Sequence, residues 1–302
     1  MVSALRMGLG ALQAVSPGVA AWAAERLFFT PPHGRGDPPA AAKALLARAK
    51  RFELRVERRR VVGWRWGQGP VVYLVHGWGS RGSRLIELAP PLLDAGYSVV
   101  TFDAPGHGAS GGGMSSIPEF ARALLAVIER EGAAQAVIGH SLGAAAVALA
   151  VSWGLCVQRL VLLAPPADPA AWVGAFARRF GLRSDVVARM RARSERRLRM
   201  RWSDLNIPRV ARGLTVPLLI AHDENDEKVP WEEGAWIAAA WPGAKLITTT
   251  GLGHSGVVRA PAVMREVVAF ATAREPEPPW HDESERLEYE LFYRELRWAH
   301  AT

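Results

Sequence analysis

The sequence predicts an α/β fold, a mainly parallel sheet that is flanked by helices and carries an inserted helical cap. Short apolar runs such as PVVYLVHG and RLVLLAPP are typical of strands buried on both faces. They alternate with segments of helical periodicity, and this alternation indicates a parallel sheet covered on both sides. A stretch without any strand-like run, residues 167–212, interrupts the alternation where a cap over the strand ends would lie.

The individual elements follow in order from Phe52. FELRVERRRVVGWRWG alternates apolar and basic residues with a period of two, which predicts an antiparallel hairpin with one solvated face. Later strands are predicted in PVVYLVHG, YSVVTFDAPGHG, AQAVI, RLVLLAPP, VPLLIAHDENDEKVP and AKLITTTGLGHSG. Helices are predicted in SRLIELAPPLLDAG, IPEFARALLAVIEREG, LGAAAVALAVSW, around residues 231–241, and from Pro261 to about Arg274.

The chain divides into three predicted parts. Residues 1–45 are expected to form an N-terminal helical extension, and residues 46–275 the main domain with its cap insertion. EPEPP then interrupts the chain, and DESERLEYELFYRELRW predicts an amphipathic tail helix within residues 276–302.

The N-terminal segment allows two interpretations. The stretch from Met7 to Ala24 carries no charge, so it could be an export signal or a membrane-associated segment. Pro17 and Gly18 interrupt it, which makes it a poor membrane span. We therefore favour a helix that packs on the domain and ends near LFFTPP, in a cytoplasmic protein.

The composition excludes several classes of function. The formal net charge is +8, but no basic stretch is interleaved with the aromatic platform of a nucleic-acid module, so we expect no nucleic-acid partner. The single cysteine, Cys156, excludes an internal disulfide and a cysteine-based metal cluster. Neither a metal site nor a phosphate-binding loop is evident, so no cofactor is expected, and the oligomeric state stays open.

One serine lies in a setting that suits a nucleophile. Ser141 is the centre of G-x-S-x-G, between a short strand-like run and an alanine-rich helical one. A strand-to-helix turn of this length forces the serine into a strained backbone conformation. Side chains at Gly139 and Gly143 would collide with the chain beside them, and the hydroxyl would be exposed at the tip of the turn.

A serine hydroxyl needs a base to accept its proton and a third group to orient that base. His76, His107 and His254 all follow predicted strands. His76 in HGWGS is expected to brace its loop, and His107 lies in a glycine turn. His254, in the GLGHSG loop after the last strand, is therefore the predicted base.

The orienting acid is expected between the serine and the histidine in chain order. AHDENDEKVP offers Asp223, Glu224, Asp226 and Glu227 at the end of a strand. Asp223 is still at the strand end, where it could only shape the turn. We predict Asp226 as the acid because the loop can project it toward the base.

The transition state of acyl transfer places negative charge on the former carbonyl oxygen, and fixed hydrogen-bond donors are needed to stabilise this charge. The backbone N–H of Leu142, directly after the nucleophile, is one predicted donor. The backbone N–H of Trp78, in the loop after PVVYLVHG, is the other.

Five motifs in this order and spacing resemble the α/β-hydrolase superfamily: HGWGS, FDAPGHGAS, GHSLGA, HDENDEKVP and GLGHSG. The resemblance extends from about Phe52 to Arg274 and implies an esterase- or lipase-like serine hydrolase with a helical cap. Ser141 differs from the aspartate nucleophile of haloalkane dehalogenases and epoxide hydrolases. HGWG also differs from the HGGG of one lipase and esterase branch.

These residues lead to a predicted function. The chain is expected to cleave a small-molecule carboxylic ester through an acyl-enzyme on Ser141. An acyltransferase or thioesterase with the same three residues is an alternative, and so is a non-catalytic binding protein of the same fold. The natural substrate is set by the cap and pocket walls, which the sequence does not define.

An apolar stripe is predicted within the insertion. Trp172, Phe176 and Phe180 recur every four residues, as on one face of a helix. We expect this stripe, together with the Trp78 side chain, to line the acyl pocket. The alternative is that these side chains only fasten the cap to the core.

Overall fold

The computed structural model describes residues 2–32 and 38–273, so the predicted tail helix at 276–302 lies outside the described residues. Eight strands form one sheet in the order β1-β2-β4-β3-β5-β6-β7-β8. The strands are β1 Lys50–Val56, β2 Arg59–Trp66, β3 Val71–Val75, β4 Ser98–Asp103, β5 Ala134–His140, β6 Val157–Leu163, β7 Leu218–Asp223 and β8 Lys245–Thr249.

The pairing pattern confirms the predicted fold class. Strand β2 pairs antiparallel with β1 and with β4, as expected for the hairpin. All other neighbours pair in parallel, with β3 between β4 and β5 at the centre of the sheet. Every residue of β3, β4 and β7 is buried, which explains why the sequences of these strands are mainly apolar.

Helices cover both faces of the sheet. The predicted SRLIELAPPLLDAG helix is divided, because Gly82–Leu88 is a 3₁₀ helix and an α-helix follows it. The α-helices are α1 Val2–Val15, α2 Pro17–Phe29, α3 Ala40–Ala47, α4 Ala89–Asp94, α5 Ile117–Glu131, α6 Leu142–Ser152, α7 Ala171–Phe180, α8 Ser184–Leu198, α9 Ile207–Ala211, α10 Trp231–Ala240, α11 Gly253–Gly256 and α12 Pro261–Thr272.

The N-terminal segment forms two helices rather than the single helix expected. Ser16 caps α2, its Oγ accepting a hydrogen bond from Val19 N at 3.4 Å. Pro17 occupies the first turn of α2, where its missing N–H removes no helical hydrogen bond. The interruption that the sequence suggested is therefore the start of a second helix. Among the described residues, no helix is long and apolar enough to cross a membrane.

The two N-terminal helices pack against the insertion between β6 and β7. This insertion contains α7, α8, a 3₁₀ helix at Trp202–Leu205, and α9, and no strand. Glu25 of α2 is buried and forms ion pairs with Arg193 and Arg197 of α8 at 3.1 and 3.0 Å. Gln13 of α1 donates from Nε2 to the Gly181 carbonyl at 3.2 Å. Part of the basic stretch in α8 therefore holds helices together.

Candidate active site

Ser141 connects β5 to α6 in a strained backbone conformation. Its φ is 54° and its ψ is −125°, a left-handed φ that L-residues rarely adopt. A Cβ at Gly139 would lie 2.7 Å from Ala144 Cα, and one at Gly143 would overlap the His76 carbonyl oxygen. Both flanking glycines are therefore required for the chain to pass through this turn.

His254 and Asp226 lie beside Ser141 in a continuous series. His254 belongs to α11, which follows β8, and its Nε2 accepts from Ser141 Oγ at 3.0 Å. Its Nδ1–H donates to Asp226 Oδ2 at 2.7 Å. The structure thus brings together the predicted nucleophile, base and acid, which are up to 113 residues apart in the chain.

The environment of Asp226 keeps its carboxyl group ionised. Its side chain is fully buried, and burial alone would raise its pKa. Hydrogen bonds from His222, His254 and the backbone N–H groups of Val229 and Lys228 act in the opposite direction. They hold the pKa of Asp226 well below its usual range, so the acid can orient the His254 ring while charged.

Asp223 performs the turn-shaping role that the sequence suggested for it. Its carboxylate accepts from Thr249 Oγ1 at 2.8 Å and from the backbone N–H groups of Leu252 and Gly253 at 3.0 and 2.9 Å. It therefore ties the end of β7 to the loop that carries His254. Burial raises the pKa of Asp223, and these hydrogen bonds lower it below its ordinary value.

His76 and His107 lie away from the Ser141 hydroxyl and hold the loop after β3. His76 donates from Nδ1 to the Gly77 carbonyl at 2.7 Å, and its Nε2 accepts from Ala104 N at 3.0 Å. The Nε2 of His107 accepts from Gly79 N at 3.0 Å. Burial lowers the pKa of His76 to about 4 and that of His107 to about 3, so both rings are neutral and able to accept.

The two predicted oxyanion donors both belong to segments next to Ser141. Gly77 passes so close that a Cβ there would lie 3.0 Å from Ser141 Cβ, and Trp78 follows it. Leu142 is the first residue of α6. Neither the Trp78 nor the Leu142 backbone N–H has a hydrogen-bond acceptor within residues 2–32 and 38–273. Both residues line the cavity that opens above the serine.

That cavity measures about 1150 Å³ and reaches Ser141 and His254 at one side. The predicted stripe of α7 lines it, with Phe176 and Phe180 rings 4.7 Å apart. A second wall, which was not predicted from the sequence, is formed by Leu27, Phe28 and Phe29 of α2. Phe28 and Phe176 are in edge-to-face contact at 5.2 Å. The apolar sequence RLFF before the proline stop was the available signal.

Two further histidines support the site and were not singled out from the sequence. His140 donates from Nε2 to the His254 carbonyl at 3.0 Å, which fixes the backbone beneath the His254 ring. Burial, then the nearby His254, lowers the pKa of His140 to about 3. His222 Nε2 lies 3.0 Å from the Val229 carbonyl and 3.4 Å from Asp226 Oδ2.

Comparison with known proteins supports the resemblance seen in the motifs. Residues 72–267 match the family model described as the alpha/beta hydrolase family. No curated protein sequence matches this chain significantly.

Three solved structures have a similar fold and a low sequence identity to this chain. An esterase from Pyrococcus furiosus is 22% identical, with 80% of this chain and 97% of that chain covered and a TM-score of 0.61. A bromoperoxidase from Bacillus anthracis is 18% identical, with 74% and 100% covered and a TM-score of 0.58. The protein Est1E from Butyrivibrio proteoclasticus, solved with ferulic acid, is 19% identical, with 73% and 96% covered and a TM-score of 0.57.

Proposed function

Because the chain belongs to the alpha/beta hydrolase family, we propose that it is a serine hydrolase that cleaves a small-molecule carboxylic ester. The observation that carries this proposal is the series Ser141 Oγ, His254 and Asp226, joined at 3.0 and 2.7 Å. These are hydrogen-bond distances at which a serine can transfer its proton to a base that a carboxylate orients.

In the acylation step, His254 Nε2 accepts the Ser141 proton while Oγ attacks the ester carbonyl carbon. The resulting oxyanion accepts hydrogen bonds from the backbone N–H groups of Trp78 and Leu142. The tetrahedral intermediate then collapses, the C–O bond to the alcohol breaks, and His254 gives its proton to the leaving alcohol. The acyl group remains on Ser141.

Deacylation repeats the sequence with water. A water molecule attacks the acyl carbon as it passes a proton to His254, and His254 then returns that proton to Ser141 Oγ. The free acid leaves and the serine is regenerated. Asp226 stays ionised throughout and stabilises the imidazolium of His254.

We assign the insertion at 167–212 the role of a cap over this site, and residues 1–45 that of a helical extension that supports it. The contact between Phe28 and Phe176 supports this division, because one ring comes from each part. Together α2 and α7 provide the apolar surface for the acyl chain.

Labelling with a fluorophosphonate tests the nucleophile directly. The probe is expected to modify Ser141, identified by mass spectrometry of the peptide, and the protein is expected to hydrolyse p-nitrophenyl hexanoate. Ser141→Ala and His254→Ala each are expected to lower kcat by a factor on the order of 10⁶, and the double variant is expected to be little worse.

Ser152→Ala provides the matched control. Ser152 ends the same helix, α6, and its hydroxyl bonds only to the Leu149 carbonyl among the described residues. This variant is expected to keep both labelling and turnover. The proposal would be contradicted if the folded protein showed no esterase activity and Ser141 stayed unlabelled. If product formed only when an alcohol was added, the activity would be acyl transfer instead.

A further inference from the structure

The lining of the active-site cavity carries charge of one sign. Cationic side chains contribute to it from several elements, and among the described residues that line the cavity none is Asp or Glu. These cationic residues are Arg81, Arg84, Arg179, Lys228 and Arg259. A cavity that served only to hold a neutral apolar ester would not need this excess of positive charge.

Arg84 lines this cavity beside a second cation, Arg259. It is half-buried in the 3₁₀ helix that follows the oxyanion loop. The described residues provide its guanidinium with neither a hydrogen bond nor an ion pair. The pKa of Arg84 is lowered, first by burial and then by the positive charge of Arg259. The negative charge of Glu87 acts in the opposite direction but is the smaller effect. A half-buried cation beside a second cation is unfavourable until an anion is bound.

Arg259 lies beside it and is only partly neutralised. Its Nε is 3.4 Å from Glu87 Oε1, and both side chains are about half exposed, at 43% and 51%. Such an exposed pair is weak and leaves guanidinium N–H groups for another acceptor. The two arginines therefore form a cationic pair that one solvated carboxylate, Glu87, only partly neutralises.

The pair lines the same cavity as Ser141 and His254 and is close to both in the structure or in the chain. Arg259 follows α11, which contains His254. Arg84 is close enough to the buried His140, the neighbour of Ser141, to contribute to its electrostatic environment. The aromatic wall comes from other elements, α2 and α7. Because His254 protonates the departing alcohol, the leaving group of an ester is released on its side of the site.

From this arrangement, and resting on the proposed function, we infer that the preferred substrates are acyl esters whose leaving group carries a phosphate or a carboxylate. Arg84 and Arg259 bind the anion, and the rings of α2 and α7 bind the acyl chain. The planar guanidinium donates two parallel hydrogen bonds to either oxyanion, so both groups share the chemistry that this pair recognises.

Three hexanoyl esters that differ in one substituent test the inference. The neutral ester is made from 3-hydroxybenzamide, the carboxylate ester from 3-hydroxybenzoate, and the phosphate ester from 3-hydroxyphenyl phosphate. At low ionic strength, the wild-type protein is expected to show a KM about tenfold lower for both anionic esters than for the neutral one. The relative KM of the two anionic esters distinguishes a phosphate from a carboxylate as the preferred anion.

Variants connect this preference to the arginines. Arg84→Gln and Arg259→Gln are expected to reduce the KM ratio between neutral and anionic esters toward one, and Arg84→Lys is expected to retain part of it. Arg265→Gln is the control, because Arg265 is exposed on α12 and does not line the cavity. Melting temperature and the rate of Ser141 labelling verify that each variant is folded.

The outcomes separate this inference from the proposed function. Equal KM values for charged and neutral esters, or a preference that survives both glutamine variants, would overturn the anion site while leaving esterase activity established. Failure to hydrolyse all three esters, together with absent labelling of Ser141, would overturn both. If Arg84→Gln does not fold, the ratio of the KM values for neutral and anionic esters is measured in Arg259→Gln and Arg84→Lys, and it decides the question.

Discussion

At the scale of single residues, two neighbouring aspartates have separate tasks. Asp226 contacts the His254 ring, whereas Asp223 accepts from the loop that carries this histidine. Asp226→Asn is therefore expected to lower kcat by a factor on the order of 10⁴, because an amide cannot hold the productive tautomer of His254. Steady-state kinetics on p-nitrophenyl hexanoate measures this loss.

Asp223→Asn is the matched comparison for that change. It keeps the carboxylate beside His254 and weakens the loop, so we expect a lower melting temperature and a much smaller decrease in kcat. Large loss of turnover in Asp223→Asn with near-normal turnover in Asp226→Asn would reverse the assignment of the two acids.

At the scale of elements, we predict that α7 determines how the acyl chain fits. Each additional methylene in the substrate is expected to add up to about 0.8 kcal/mol of transition-state binding until the cavity is full. Removing the Phe176 ring enlarges the cavity between α2 and α7. Phe176→Ala is therefore expected to move the optimum of a p-nitrophenyl ester series toward longer or bulkier acyl groups.

Phe270→Ala controls for the general effect of losing a ring. Phe270 is partly buried on α12, beneath the Arg159 guanidinium, and it does not line the cavity. This variant is expected to lose stability and keep the substrate ranking. If a well-folded Phe176→Ala protein also kept the ranking, the stripe would serve only to fasten α7 to its neighbours.

One buried carboxylate, Glu25, forms two ion pairs across the contact between α2 and α8. Glu25 is 5% exposed at its side chain, while its partners Arg193 and Arg197 are 39% and 29% exposed. Glu25→Gln removes the negative charge that both guanidinium groups face, while Arg197 keeps a second, longer ion pair with Glu119 at 3.6 Å. We therefore expect a loss of about 2 kcal/mol in the free energy of unfolding. Urea unfolding measures this loss.

Glu53→Gln is the corresponding change in an exposed ion-pair group. Glu53 is 38% exposed and pairs with Arg51 and Arg60. Its replacement is expected to change the free energy of unfolding by less than about 0.5 kcal/mol. Equal effects of the two variants would show that burial of Glu25 adds nothing to the contact between α2 and α8.

At the scale of the whole molecule, buried histidines make stability depend on pH. In the folded protein, burial lowers the pKa of His76 to about 4 and those of His107 and His140 to about 3. In the unfolded chain the histidine pKa values are ~6.5. Between pH ~6.5 and ~4, the unfolded chain therefore binds more protons than the folded protein. The free energy of unfolding is therefore expected to decrease as the pH falls below ~6.5.

Urea unfolding at pH 7.5, 6.5, 5.5 and 5.0 measures this slope. The pKa of Asp226 is lowered in the folded protein and is ~3.9 in the unfolded chain. The stability that Asp226 contributes is therefore lost only as the pH falls below ~3.9. His107→Gln removes one titrating group and is expected to flatten the decrease between pH 6.5 and 5.0. A slope unchanged by this variant would contradict a contribution from His107.

Periodicity and motif spacing were sufficient to predict the sheet and the candidate triad. A buried parallel strand or a G-x-S-x-G turn is encoded locally, so β3, β5 and Ser141 could be predicted from adjacent residues. The role of His140 could not, because its partner is a backbone carbonyl 114 residues away. The same holds for α2, whose contacts with α7 and α8 arise only when distant helices pack together.

Helix α2 lies outside the part of the chain that matches the family model, yet it contributes to the cavity. The family match begins at residue 72, whereas Leu27, Phe28 and Phe29 of α2 contribute to the cavity wall. A fragment trimmed to the matched region would keep Ser141, the proposed nucleophile, but it would lose β1, β2 and the part of the cavity wall that α2 contributes. If the proposed function holds, exchanging the first 30 residues or so between homologues is expected to change substrate choice and leave the reaction the same.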